Sequence, residues 1–139
     1  MTEIDEKILV REIGKLAGCF GGPGAKLAAR FLPVEEREVA IEINANVATV
    51  RASTSELLQT IGRLIDDSAS QNMAATLSAV VGSGHMNLNP TIVHVEFTAL
   101  SQASSKVVIR CIAKEGLVKQ DSAAKALERI KNLLLSEYA

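Results

Sequence analysis

His94, Glu96 and Arg110 are the residues of this chain whose types and spacing come nearest to a chemical site. His94 and Glu96 stand two apart in the alternating run Thr91 to Leu100, so they share one face of a strand. Pairing that run with Lys106 to Lys114, Leu100 against Lys106, puts Arg110 opposite Glu96. A carboxylate beside an imidazole can do acid–base work, and a guanidinium can hold an anion. The plainer role, and the preferred one, is a cross-strand ion pair on a solvated face, worth about 0.2–1 kcal/mol.

The other chemical motifs are weaker. His85 and His94 are the only histidines, and no Cys or carboxylate recurs at ligand spacing around them, so no metal site and no cofactor are expected. Gly82-Ser-Gly84-His85 sets a hydroxyl near an imidazole, but the Gly-x-Ser-x-Gly elbow is incomplete, and a glycine turn accounts for it. Gly18 to Lys26 has the look of a phosphate-binding loop. It lacks the Ser or Thr after the lysine and follows a helix where a strand is required, so it reads as a helix connector. Cys19 and Cys111 lack CxxC spacing and are expected reduced, Cys111 as a small core residue.

These residues sit on elements that the apolar pattern outlines. Thr2 caps a first helix to about Ala17, with Leu9, Ile13, Leu16 and Phe20 in one stripe. After the glycine-rich break a short second helix is expected from Ala25 to Leu32. Val39, Ile41, Ile43 and Ala45 alternate with polar residues and mark a strand, continued here through Val47 and Val50 to Ala52; a turn at Asn44-Ala-Asn46 is the alternative. Ser53-Thr-Ser-Glu56 has capping-box spacing and opens a helix carrying Leu57, Leu58, Ile61, Leu64 and Ile65, which ends near Asp66-Asp67. A short strand at Thr76 to Val81 precedes the hairpin, whose five-residue loop is Ser101 to Ser105. Asp121 or Ser122 then caps a helix burying Ala123, Ala126, Leu127, Ile130, Leu133 and Leu134.

The resulting fold class is α+β. An antiparallel sheet of four to five strands packs on a long C-terminal helix, residues 38–139, with an N-terminal helical hairpin as an extension, residues 1–37. Composition narrows the partners. Fifteen Lys and Arg against sixteen Asp and Glu leave no global field to attract nucleic acid or an anionic membrane. With no basic leader and no apolar run of about 18 residues, a cytoplasmic protein without a membrane partner is expected. Aromatics make up only 3%, which argues for a filled core or a small pocket, because large ligand cavities usually have aromatic walls.

Val39-Ala-Ile-Glu-Ile-Asn-Ala45 leading to the helix at Ser53, and Lys106 to Lys114 passing through Glu115-Gly116 into the last helix, resemble the helix-grip superfamily of START, Bet v 1-like and polyketide-cyclase-like domains. The resemblance covers residues 38–139 and implies a sheet curled about the last helix with an apolar small molecule between them. Val93, Val95, Phe97, Ile109, Cys111, Leu127 and Ile130 would then line the ligand site, without catalysis. The chain departs from the pattern in strand number, since those families usually have six or seven, and in its scarce aromatics. A TBP-like or ferredoxin-like sandwich without a cavity is the other compatible layout. The competing function is protein interaction: the stripe of the N-terminal helices has to be buried, on the open sheet face or against a second copy, and the self-complementary case favours a homodimer.

Overall fold

The computed structural model describes residues 1–17, 32–65, 76–83, 89–115 and 120–139. The elements run α1 (Glu3–Ala17), β1 (Val34–Ile43), α2 (Val47–Ile61), β2 (Gly62–Leu64), β3 (Thr76–Ser83), β4 (Asn89–Ser101), β5 (Ser104–Lys114) and α3 (Ser122–Glu137). The strands form one antiparallel sheet in the order β1-β5-β4-β3-β2. The architecture is the expected α+β one, with five strands, a long C-terminal helix and an N-terminal helix. The expected second N-terminal helix, Gly18 to Lys26 and His85 lie outside the described residues.

Alternation along the strands sorts the sheet into two faces. On the inner face Ile43, Val93, Val95, Phe97, Val107, Ile109 and Cys111 meet Ala123, Ala126, Leu127, Ile130 and Leu134 of α3 and Val50 and Leu58 of α2 in one core. The buried stripe of α3 is 123, 126, 127, 130, 134. Leu133 falls off it and is 40% exposed, contrary to expectation, because the neighbouring stripe position is already taken by Leu134.

Three expectations for the middle of the chain need correction. The strand does not run on to Ala52: it stops at Ile43, and Asn46, in extended conformation, caps α2 by accepting the Ala48 amide at 2.9 Å. Ser53 is therefore inside a helix, not at its start, and donates to the Thr49 carbonyl at 3.0 Å while meeting the Tyr138 hydroxyl. Val47 and Val50 suggest strand by their β-branching, yet Val50, Thr54 and Leu58 recur every fourth residue and form the buried helical stripe. The helix also ends early, at Ile61, and β2 leaves it directly. Gly62 makes that exit possible: a Cβ there would stand 2.2 Å from the Val80 carbonyl oxygen.

The β4–β5 register differs from expectation by two residues. Thr98 faces Lys106, so Phe97, Val95 and Val93 face Val107, Ile109 and Cys111, and Arg110 faces His94 instead of Glu96. The cause is the serine-rich loop. The chain turns tightly at Gln102 and Ala103, with the Ser101 and Ser104 hydroxyls 2.9 Å apart and a bulge near Ala99, so both strands are longer than the pattern indicated. An even shift leaves every side chain on its face, which is why the core survives the error.

The outer face is covered by α1. Thr2 and Asp5 cap one another, side chain to amide, at 3.1 Å each, and Glu3, Asp5 and Glu6 suit the positive end of the helix. Leu9 is fully buried against Ile92 and Ile112, with Ile8 and Ile65 at the margin. Polar contacts among the described residues add to the docking: Met1 amine to Glu36, Asp5 to His94, Glu6 to Lys114, and Glu12 to Arg63. Of the two destinations open to the N-terminal stripe, Leu9 takes the sheet of its own chain.

Candidate functional site

Two polar clusters lie on opposite faces of the sheet. The inner one closes the end of the core beneath the start of α3. Asp121, in left-handed conformation, makes no side-chain cap. Its place is taken by two carboxylates from outside the helix. Glu115 accepts the amides of Gln120 at 3.0 Å and Ser122 at 2.8 Å, and Glu35, from β1, accepts that of Ala123 at 3.3 Å. Carboxylates suit this position, where unpaired amides and the helix dipole favour negative charge. Beside them Ser83 donates to the Ser122 carbonyl at 2.7 Å, and the Asn89 amide donates to the Lys114 carbonyl at 2.9 Å and to the Ser122 hydroxyl at 2.7 Å.

Burial raises the Glu35 carboxyl above its ordinary value, and the adjoining Glu115 carboxyl pushes it further the same way. Its Oε2 caps α3; its Oε1 is buried without a hydrogen-bond partner, 3.5 Å from the Arg37 guanidinium. Thr91, on the inner face between Val81 and Ala113, has a hydroxyl equally buried and equally without a partner. Val93, Val95, Phe97, Ile109, Cys111, Leu127 and Ile130, the expected ligand-lining residues, are all buried in the single core that these oxygens border. Burial pushes the Cys111 thiol up to about 12, so it is a neutral, unreactive wall residue.

The outer cluster is built around His94. Its Nε2 is 2.9 Å from Asp5 Oδ1 and its Nδ1 is 2.7 Å from Ser78 Oγ, so the ring spans a carboxylate on α1 and a hydroxyl on β3. Burial alone would raise the Asp5 carboxyl, but the Thr2 amide, His94 and the Thr2 hydroxyl outweigh it and hold it below its ordinary value. Asp5 faces Nε2 and the Ser78 hydroxyl faces Nδ1, so in the tautomer that carries its proton on Nε2 the ring donates to the carboxylate and can accept from Ser78. Arg110 lies in the same row, across the strand pair from His94, and its guanidinium is 3.7 Å from Glu36. Glu96 is exposed beyond this group, opposite Val108. The expected trio thus divides, and His94 takes partners that strand spacing could not supply. Ser78 was legible only through the β3–β4 register, and Asp5 gave no signal beyond its capping position.

Among the described residues no group of three or more His, Cys, Asp or Glu is placed to hold a metal ion, and no helix is long and apolar enough to cross a membrane. No protein-family model and no curated protein matches the chain. Solved structures that resemble it include the Zhui aromatase/cyclase of a Streptomyces species, with a TM-score of 0.42 at 8% identity over 76% of this chain and 87% of that one. An uncharacterised protein from Rhizobium leguminosarum gives a TM-score of 0.40 at 12% identity, covering 76% and 93%. A protein of unknown function from Staphylococcus aureus gives 0.36 at 11%, covering 75% and 85%. These are likenesses of general layout, and no residue role is carried over from them.

Proposed function

We propose that the chain binds a small, largely apolar molecule between the sheet and α3, with a hydroxyl or similar head turned toward Thr91 and Glu35, and that it does so without turnover. The observation that carries this reading is the Thr91 hydroxyl, buried without a hydrogen-bond partner at the end of an otherwise apolar wall, with Glu35 Oε1, which has no hydrogen bond but a 3.5 Å ion pair to Arg37, across Ala113 from it. A buried polar atom left unpaired costs about 1–3 kcal/mol, and a ligand head that donates to one and accepts from the other removes that cost. The wall is nearly all aliphatic, which suits an alkyl or alicyclic body over a stacked aromatic one.

Methyl-resolved NMR with 1-octanol, cyclohexanol and octanoate as probes tests it. The alcohols should shift the methyls of Val93, Val95, Ile109, Leu127 and Ile130, and Thr91→Val should weaken 1-octanol about tenfold, the equivalent of one lost hydrogen bond. If none of the three probes moves those methyls, the reading is wrong. Light scattering tests the competing self-association reading. Leu9 is covered by its own sheet, so a dimer that dissociates when residues 1–17 are removed would identify the rest of the N-terminal helix as the interaction surface, and a monomer would set the homodimer reading aside.

A further inference from the structure

We propose that Ser78 is a base-activated nucleophile on the outer face of the sheet that accepts a small acyl group from an activated ester. The site is separate from the apolar interior, lying on the other side of the sheet. Three observations carry it. The Ser78 hydroxyl is 2.7 Å from His94 Nδ1, the opposite ring nitrogen is 2.9 Å from Asp5 Oδ1, and Asp5 is itself fixed by the Thr2 amide at 3.1 Å. A hydroxyl, a base within hydrogen-bond reach and a third group orienting that base are the parts an activated serine needs. The ring nitrogens are used in the opposite sense to the serine protease arrangement, but the direction of proton flow, hydroxyl to imidazole with carboxylate behind, is the same.

Access and rigidity fit the role. The His94 side chain is 20% exposed and Ser78 is half-buried, so the pair is partly open to solvent, while Asp5 is 3% exposed. Ser78 lies within β3, paired with His94 of β4, and on its other side its carbonyl accepts the Ile65 amide, just past β2, at 2.8 Å. It is not at a turn or helix start, where free amides could hold a developing oxyanion. The electrophile must therefore bring its own good leaving group, as phenyl esters and thioesters do, and the expected chemistry is a single transfer to Ser78. Oγ bonds to the acyl carbon as its proton passes to His94 Nδ1, the bond from that carbon to the leaving group breaks, and His94 returns the proton to solvent. The products are acyl-Ser78, the leaving anion and a proton.

p-Nitrophenyl acetate is the direct probe. The folded chain should release one equivalent of p-nitrophenolate, gain the mass of one acetyl group, and carry it on Ser78 in a peptide map. The exposed Ser101 and Ser136 in the same digest should stay unlabelled, since a hydrogen bond with a purely structural role would make Ser78 no more reactive than they are. His94→Gln should slow labelling about 10²–10⁴-fold, the usual contribution of a general base, with circular dichroism confirming the fold. Ser78→Ala should remove the label. Acetyl groups found only on lysines or the N-terminus, or a Ser78 rate unchanged by His94→Gln, would overturn the proposal. The wild-type map decides the matter even where a variant fails to fold.

Discussion

The two faces of the sheet are held by different forces. On the inner face aliphatic side chains from four strands and two helices share one interior, whereas on the outer face, among the described residues, α1 is seated by the buried Leu9 and by polar contacts. The contrast teaches where this molecule keeps its stability and where it keeps its reactive groups. Burying an aliphatic side chain contributes about 1.5–3 kcal/mol, so the inner face sums to a cooperative core. Partly exposed pairs such as Met1–Glu36 and Glu12–Arg63 contribute about 0–1 kcal/mol each, so α1 rests mainly on Leu9 and the buried Asp5–His94 contact and is held less firmly than the inner face. Even Lys114, whose side chain is only 1% exposed, is joined by Glu6 at a long 3.4 Å.

The largest effect should come from the inner face. Ile130 is fully buried where α3 crosses the sheet, and Ile130→Ala should cost about 2–5 kcal/mol in denaturant unfolding, with all elements melting together. Partial melting confined to α3 would break the claim of one cooperative interior. Leu9→Ala removes a fully buried apolar contact of α1, yet its effect should be smaller than that range, because undocking of α1 limits the loss. Amide exchange should accelerate across 3–17 and stay slow in β4 and β5. Equal acceleration in the strands would mean that α1 belongs to the core after all.

The smallest effect sharpens a place where charge intrudes on the inner face. Glu35 binds its proton more tightly when folded than its ordinary value of 4.5, because burial and Glu115 both oppose its charge. The raised value means that the fold gives up stability as pH rises from that ordinary value through the raised one. Glu35→Gln keeps an oxygen for the Ala123 amide but removes the charge. It should raise the melting temperature at neutral pH and make little difference where carboxyls are protonated. A variant destabilised at neutral pH would show that the negative charge at the start of α3, and not merely an acceptor, is what the helix requires. Asp5 has the opposite sign: its lowered value contributes stability that is lost as pH falls through it, so α1 should be the element released first in acid.

Much of this was legible in the chain itself. The alternation of Val93, Val95 and Phe97 and of Val107, Ile109 and Cys111, with the stripe of Ala123, Ala126, Leu127, Ile130 and Leu134, specified an inner face and its cover, because period and burial follow from backbone geometry. Where local signals competed, they misled. Ser53-x-x-Glu56 satisfied a capping rule inside a helix already begun by Asn46, and the serines at 101–105 resembled a loop while closing a tighter turn. Capping and turn residues report what a segment can do, and packing of Val50 and Leu58 decided what it did.

The polar groups divide the same way. Periodicity placed His94 and Arg110 on one outward face, which needs only neighbours in sequence and a strand partner. What only the tertiary structure decided is their company: Asp5 reaches His94 across 89 residues, Glu35 reaches the start of α3 across 88, and Thr91 is left with its hydroxyl enclosed. The physical reason is one of range. Hydrophobic period is set within a few residues and survives a register shift of two, whereas a hydrogen bond requires two atoms within about 3 Å, a condition that exists only once helices and strands have taken their final places.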